Sequence, residues 1–157
     1  MSVWRPHTTG ILIGGLVLVL VALVASYVVT HFQPTTELRL GSGIFSVRTA
    51  TDSAARQQGL SGVKTLNAND GLLMVFDDAD TWGIWMKDMH VPLDILWLDS
   101  SKNVVYIVTD APPELSTSKT FTPKIPSLYV LEVPAGTVKN SAIKIGDAAT
   151  FTIEGNQ

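Results

Sequence analysis

Few side chains in this sequence can carry out chemistry. Beyond residue 34 there is one histidine, His90, since His7 and His31 flank an apolar run, and none of the 157 residues is cysteine. Without cysteine there are no disulfides, thiol nucleophiles or thiolate metal sites. A hydrolytic triad would require His90 beside an activated serine. The serines next to glycine, Ser42 and Ser61, lie outside any Gly-x-Ser-x-Gly turn. Gly41-x-Gly43 lacks the lysine and following helix of a phosphate loop. What remains is a set of charges placed among apolar residues: Arg56, Lys87, Asp94 and Glu132, with Trp82 and Trp85 close to Lys87 in the chain.

Strand alternation makes these charges informative. In Leu93 to Leu98, Leu93, Ile95 and Trp97 share one face, and Asp94 shares the other with Leu96 and Leu98. A carboxylate among leucines without a partner costs several kcal/mol or takes up a proton, so a cation or several donors should lie beside it. Glu132, between Val130 and Pro134, meets the same difficulty. One reading is that Arg56, Lys87, Asp94 and Glu132 form ion pairs that fix strand register. The other is that they line a pocket walled by Trp82 or Trp85, used for binding, or for hydrolysis by Asp94 or Glu132 with Lys87.

Metal chemistry has a narrow basis. Counting from Asp78 as the first position of a calcium loop, the fifth is Trp82 and the twelfth Met89, so the oxygen ligands are missing. Met86, Met89 and His90 suit monovalent copper by ligand type, although methionine in strands is usually core filler. No cofactor is implied.

The elements that must position these residues are mostly strands. Glu37 to Leu40 and Ile44 to Ala50 read as a hairpin about Gly41-Ser42-Gly43. Thr51 or Asp52 can cap a short helix from Ser53 to Gln58 that Gly59 ends. Gly71 to Phe76 is apolar on both faces, as a central strand should be. Strands are predicted at Trp82 to Met86, Leu93 to Leu98, Val104 to Thr109, Leu128 to Val133 and Ala149 to Ile153, with a helical turn between Ala135 and Ala142. This pattern predicts a mainly β fold, a small sandwich or barrel-like domain of about seven short strands with one or two short helices. Ala111 to Ser127, with Pro112, Pro113, Pro123 and Pro126, reads as a long irregular loop, either functional or mobile.

The amino-terminal part is different in kind. Ile11 to Val29 is uncharged and as a helix would reach about 28 Å, close to the roughly 30 Å of a bilayer core. The expected organisation is a cytoplasmic tail at 1–10, a transmembrane helix at 11–30, a linker at 31–36 and an extracytoplasmic β domain at 37–157. Arg5 before the span, against the cancelling Glu37 and Arg39 after it, leaves the N-terminus inside. The alternative is a secreted protein whose signal is cleaved near Val24-Ala25-Ser26. The outer part holds 10 Lys plus Arg against 14 Asp plus Glu, a net charge of −4 that argues against a nucleic-acid partner.

Several ordered blocks resemble one family. They are Arg56-x-x-Gly59-Leu60-Ser61, Gly71-Leu72-Leu73-x-x-Phe76, Trp85-Met86-Lys87-Asp88, Pro92-Leu93-Asp94-Ile95, Leu131-Glu132, Ala135-Gly136 and Gly146-Asp147. From about Ile44 to Phe151 the chain is similar to the domain-of-unknown-function family numbered 192, also called uncharacterised protein family 0127. The resemblance implies a mainly β fold and, in many relatives, an export signal or anchor; it implies no reaction. The chain departs from the pattern at Asp88-Met89-His90, where Asn-Thr and an apolar residue are usual. The expectation is a bilayer-anchored domain that binds an envelope ligand or a membrane-protein partner without catalysis. The alternatives are the hydrolase and a structural subunit of a membrane complex.

Overall fold

The computed structural model describes residues 15, 17–23, 35–113 and 119–153. The chain divides into two compact units, 1–34 and 35–157. In the first, residues 17–23 are helical and exposed. Among the described residues no helix is long and apolar enough to cross a membrane. Much of the expected 11–29 span lies outside them.

The second unit is built on β1 (Thr35–Leu40), β2 (Gly43–Ala50), α1 (Ser53–Gln58), β3 (Asp70–Asp80), β4 (Ile84–Trp85), β5 (Leu93–Leu98), β6 (Val104–Ala111), β7 (Thr120–Phe121), β8 (Ser127–Pro134) and α2 (Thr137–Asn140). Six strands form one sheet in the order β1-β2-β3-β8-β5-β6, and β4 and β7 form a separate ribbon. Neighbours in the large sheet are antiparallel except β2 and β3, which run parallel with α1 in the crossover between them. The hairpin closes where Leu40 faces Gly43, across Gly41 at φ 58°.

Residues expected to form a last strand at 149–153 do something else. Thr150 bridges Arg39 of β1, and Ala148 bridges Asn103 at the start of β6. Arg39 and Thr150 exchange both backbone hydrogen bonds at 2.9 Å, and Ala149 N donates to Lys102 O at 2.9 Å. One short segment thus bridges both edge strands of the sheet. No regular ladder forms, because the segment must cross from one edge strand to the other within a few residues.

The sheet separates two apolar clusters. Leu38, Phe45, Leu73, Leu96, Leu131 and Phe151 pack on the inner face. Leu72, Met74, Ile95, Trp97, Met86 and Phe121 pack on the outer face, which the β4–β7 ribbon and the segment after α1 cover. Both clusters lie wholly within 35–153, so this unit carries its own core. The buried pattern of β5, apolar except for Asp94, follows from being covered on both faces. The proline-rich stretch is not wholly irregular: Thr120 and Phe121 pair with Trp85 and Ile84, while residues 114–118 lie outside the described ones. Conversely, the strand expected at Trp82 to Met86 shrinks to Ile84–Trp85, since it has only a two-residue partner.

Candidate functional site

The two carboxyls embedded in the sheet have opposite fates, and no ion pair joins either to Arg56 or Lys87 among the described residues. Asp94 is fully buried on the inner face. Its Oδ1 accepts from Asp110 N at 2.9 Å and its Oδ2 from Val138 N at 2.8 Å. Asp110 sits at a register shift between β5 and β6, at φ 52°, where its N–H has left the ladder. Val138 is in the first turn of α2, whose N-cap is Gly136 and makes no side-chain cap. Asp94 therefore supplies acceptors to a bulge and a helix start, two places where the backbone lacks them. Of the two solutions expected for a buried carboxylate, a cation or several donors, Asp94 takes the second.

Glu132 lies on the outer face in a transverse row of the sheet, Arg48, Leu72, Glu132, Ile95 and Val108. It is 4% exposed, and its Oε2 is buried without a hydrogen-bond partner. Burial pushes the carboxyl from the ordinary 4.5 up to about 8, against the opposing charge of Arg48. At neutral pH about ten molecules are protonated for each one ionised. An expected ion-pair member is thus held as a neutral acid, because burial outweighs the nearby guanidinium.

Glu132 lines a cavity of about 240 Å³ between α1, β3 and the start of β4. Its walls include Met74, Phe76, Trp82, Ile84, Trp85 and Met89. Phe76 and Trp82 stack at 4.2 Å with their planes 10° apart, and the Arg56 guanidinium lies 5.0 Å from the Phe76 centroid. Arg56 Nη1 donates to Thr51 O at 2.6 Å and to Val75 O at 2.8 Å, while Nη2 is 3.8 Å from the exposed Asp77. Trp82 is held from both ends: its indole donates to Asp78 O at 3.2 Å, and its carbonyl accepts from buried Trp97 Nε1 at 2.8 Å. These fixed groups give the cavity a preformed aromatic wall.

Local sequence explains the roof. The Asp52 side chain caps α1 by accepting from Ala55 N at 2.8 Å, and the helix stops at Gly59, with φ 52° and ψ −131°, a conformation that side chains with a Cβ avoid. A Cβ there would stand 3.7 Å from Glu132 Oε2 and 3.4 Å from Met74 Cε. The chain then ties to the β4 turn through Ser61 Oγ to Lys87 O at 2.7 Å and Gly62 N to Asp88 O at 2.8 Å. Asp88 has φ 54°, which suits the short polar side chain found there.

Of the residues singled out by sequence, Arg56, Trp82, Trp85 and Glu132 line this cavity. Lys87 lies in an adjoining groove, 5.7 Å from the Trp85 centroid, and Asp94 beside another depression near α2. The sheet itself separates Asp94 from Glu132, so they cannot act as a carboxylate pair across one bond. Glu132 and Lys87 line neighbouring depressions that share Trp85, and Asp94 lies beside a third. Met86 and Met89 are core residues and His90 is exposed, so the copper candidates lie in different environments. No cluster of three or more His, Asp or Glu able to hold a metal occurs among the described residues. Residue types alone do not mark Gly59, Met74 or Phe76 as site residues; the available signal is that Gly59 and Phe76 share motif blocks with Arg56 and the central strand.

Sheet and cavity together define a small mainly β domain with a preformed, aromatic-walled pocket over a buried acid. The chain belongs to the DUF192 family, described as uncharacterized ACR, whose model matches residues 36–151. It is 29% identical over 106 residues to the UPF0127 protein TK1120 of Thermococcus kodakarensis, a match covering 68% of this chain and 64% of that relative. The chain thus spans less than two thirds of that relative's length. A crystal structure from Sinorhizobium meliloti, of a protein assigned as a candidate transcription regulator, superposes with TM-score 0.71 at 29% identity, covering 74% of this chain and 93% of that one. A second, of a protein of unknown function from Novosphingobium aromaticivorans, gives TM-score 0.69 at 24% identity over 73% and 83% of the two chains. That second likeness is one of fold.

Proposed function

We propose that the β unit is a non-catalytic binding domain whose ligand occupies the cavity over Glu132. The observation that carries this reading is the buried Glu132 Oε2 without a partner. A free polar atom inside a folded core costs about 1–3 kcal/mol, and occupation of the cavity offers a way to recover it. The stacked Phe76–Trp82 wall supplies apolar contact area, and Arg56 one fixed charge. The regulator assignment of the Sinorhizobium protein is not carried over, because the acidic balance beyond residue 34 disfavours a phosphate backbone.

The uncharged run at 11–29 supports placing this domain outside the cytoplasm on a single-pass anchor, N-terminus inside. Ligand or partner would then belong to the cell envelope. Protease added to intact cells should remove the β unit if it faces outward; complete protection would reverse the orientation.

Ser53, exposed at the start of α1, lines the cavity, so Ser53→Trp should obstruct it without touching the core. Residues 35–157 and this variant are screened by thermal shift against single-ring acids, amides, amines and monosaccharides. A compound that stabilises the wild type and loses its effect in Ser53→Trp supports binding in the cavity. Identical responses of both proteins to every compound would reject it.

A further inference from the structure

We propose that the cavity over Glu132 takes the carboxylate end of a small organic acid with one ring or a branched apolar body, the ligand's carboxylate sharing the Glu132 proton. This deepens the binding reading and rests on it.

Size sets the first limit. A cavity of about 240 Å³ exceeds the roughly 150 Å³ that holds one benzene and falls short of the roughly 300 Å³ at which drug-sized sites begin. One ring with a short polar appendage fits; a disaccharide does not. The stacked Phe76–Trp82 pair contributes rigid apolar surface for that body.

Charge sets the second. Arg56 and Glu132 are the ionisable residues among those described as lining the cavity. Glu132 faces Arg48 from β2 and shares the cavity with Arg56 from α1, while its row partners on β3 and β5 are Leu72 and Ile95. With Glu132 protonated, the lining carries one positive charge. An ammonium ligand would meet a neutral acid and the Arg56 guanidinium. A carboxylate would meet an O–H donor and a guanidinium, and O–H···O⁻ bonds are among the strong ones. Two carboxyl groups that share one proton are a stable arrangement when both cannot ionise together. The Arg56 side chain is held in place at the cavity wall. Its Nη1 is fixed on Thr51 O and Val75 O, whereas the carboxylate nearest Nη2, Asp77, lies 3.8 Å away with 88% of its side chain exposed.

The test compares benzoate, benzamide and benzylammonium as probes of ¹⁵N-labelled residues 35–157, followed at the Gly59 amide and the Trp82 indole. Benzoate is expected to bind about tenfold or more tighter than either analogue at pH 6. Its affinity should fall about tenfold per pH unit above about 8, as Glu132 loses the shared proton. In Glu132→Gln the carboxamide still donates, so benzoate should bind within a few-fold of wild type at pH 6 but with a flat profile through pH 9. Benzamide or benzylammonium binding as tightly as benzoate overturns the carboxylate assignment and leaves the cavity reading standing. Benzoate binding with the same pH profile in wild type and Glu132→Gln also overturns it. No response to any of the three overturns the carboxylate assignment as well, and the Ser53→Trp screen decides the cavity reading separately.

Discussion

Glu132 should make this domain less stable as pH rises, the reverse of the usual behaviour of carboxylates. Its folded value of about 8 lies above the 4.5 of an exposed glutamate. Between these values the folded state therefore binds more protons than the unfolded one, and stability falls with increasing pH. Below 4.5 both states are protonated and the penalty is absent; it grows through the window and levels off above about 8, where both are ionised. At about 1.4 kcal/mol per pH unit, the loss between pH 5 and pH 8 amounts to roughly 3–4 kcal/mol from this residue alone. For a domain of this size that corresponds to a drop in Tm of roughly 10 °C or more. Urea unfolding of residues 35–157 at several pH values, wild type beside Glu132→Gln, isolates the contribution. The carboxamide cannot ionise, so the variant should lack this part of the decline and be the more stable protein at pH 8. Parallel curves for the two proteins would refute a neutral buried Glu132.

Three further substitutions test the supporting structure. Asp94→Asn keeps one acceptor but turns an amide NH₂ toward the second of the two backbone N–H groups, and should cost about 1–3 kcal/mol in urea unfolding; a change under about 0.5 kcal/mol would show that these bonds do not anchor α2 and the bulge. Gly59→Ala forces a side chain to φ 52°, ψ −131°, so a loss of about 1–3 kcal/mol is expected from the backbone alone, and an unchanged Tm would mean the helix end relaxes freely. Trp97→Phe removes the 2.8 Å bond to Trp82 O; a loss of about 1–3 kcal/mol should accompany a more mobile Trp82 ring, read by fluorescence anisotropy, and an unaltered ring would assign its position to Phe76 instead.

Elements whose determinants lie close together in the chain are legible in the sequence. Asp52 and Gly59 delimit α1, Gly41 marks the hairpin, and the apolar run Leu93–Leu98 is a central strand. The presence of two carboxyls inside the sheet is legible as well. Their separate solutions are not, because the donors that serve Asp94 come from positions 16 and 44 residues away, and no periodicity reports where a bulge or a helix start will land. Glu132 lacks such donors and keeps a proton, one of the outcomes open to a carboxyl among apolar residues, but which of the two carboxyls would do so is not written in the chain. The residues around Thr150 alternate like a strand, but as the bridge between two edges they form only isolated pairs. Thr120–Phe121 is hidden at the level of sequence, since a two-residue strand among prolines carries no pattern until its partner is known.

The bridging of the two edge strands by Ala148–Thr150 also orders events during synthesis. Both edge strands, beginning at Thr35 and ending at Ala111, are made long before the segment that bridges Arg39 and Asn103. A nascent chain halted after β8 but short of that segment therefore holds a sheet whose two edge strands lack these bridges and are available to other chains. The last stretch of the domain to leave the ribosome is the one that makes it self-contained, so truncations that spare every strand should still aggregate.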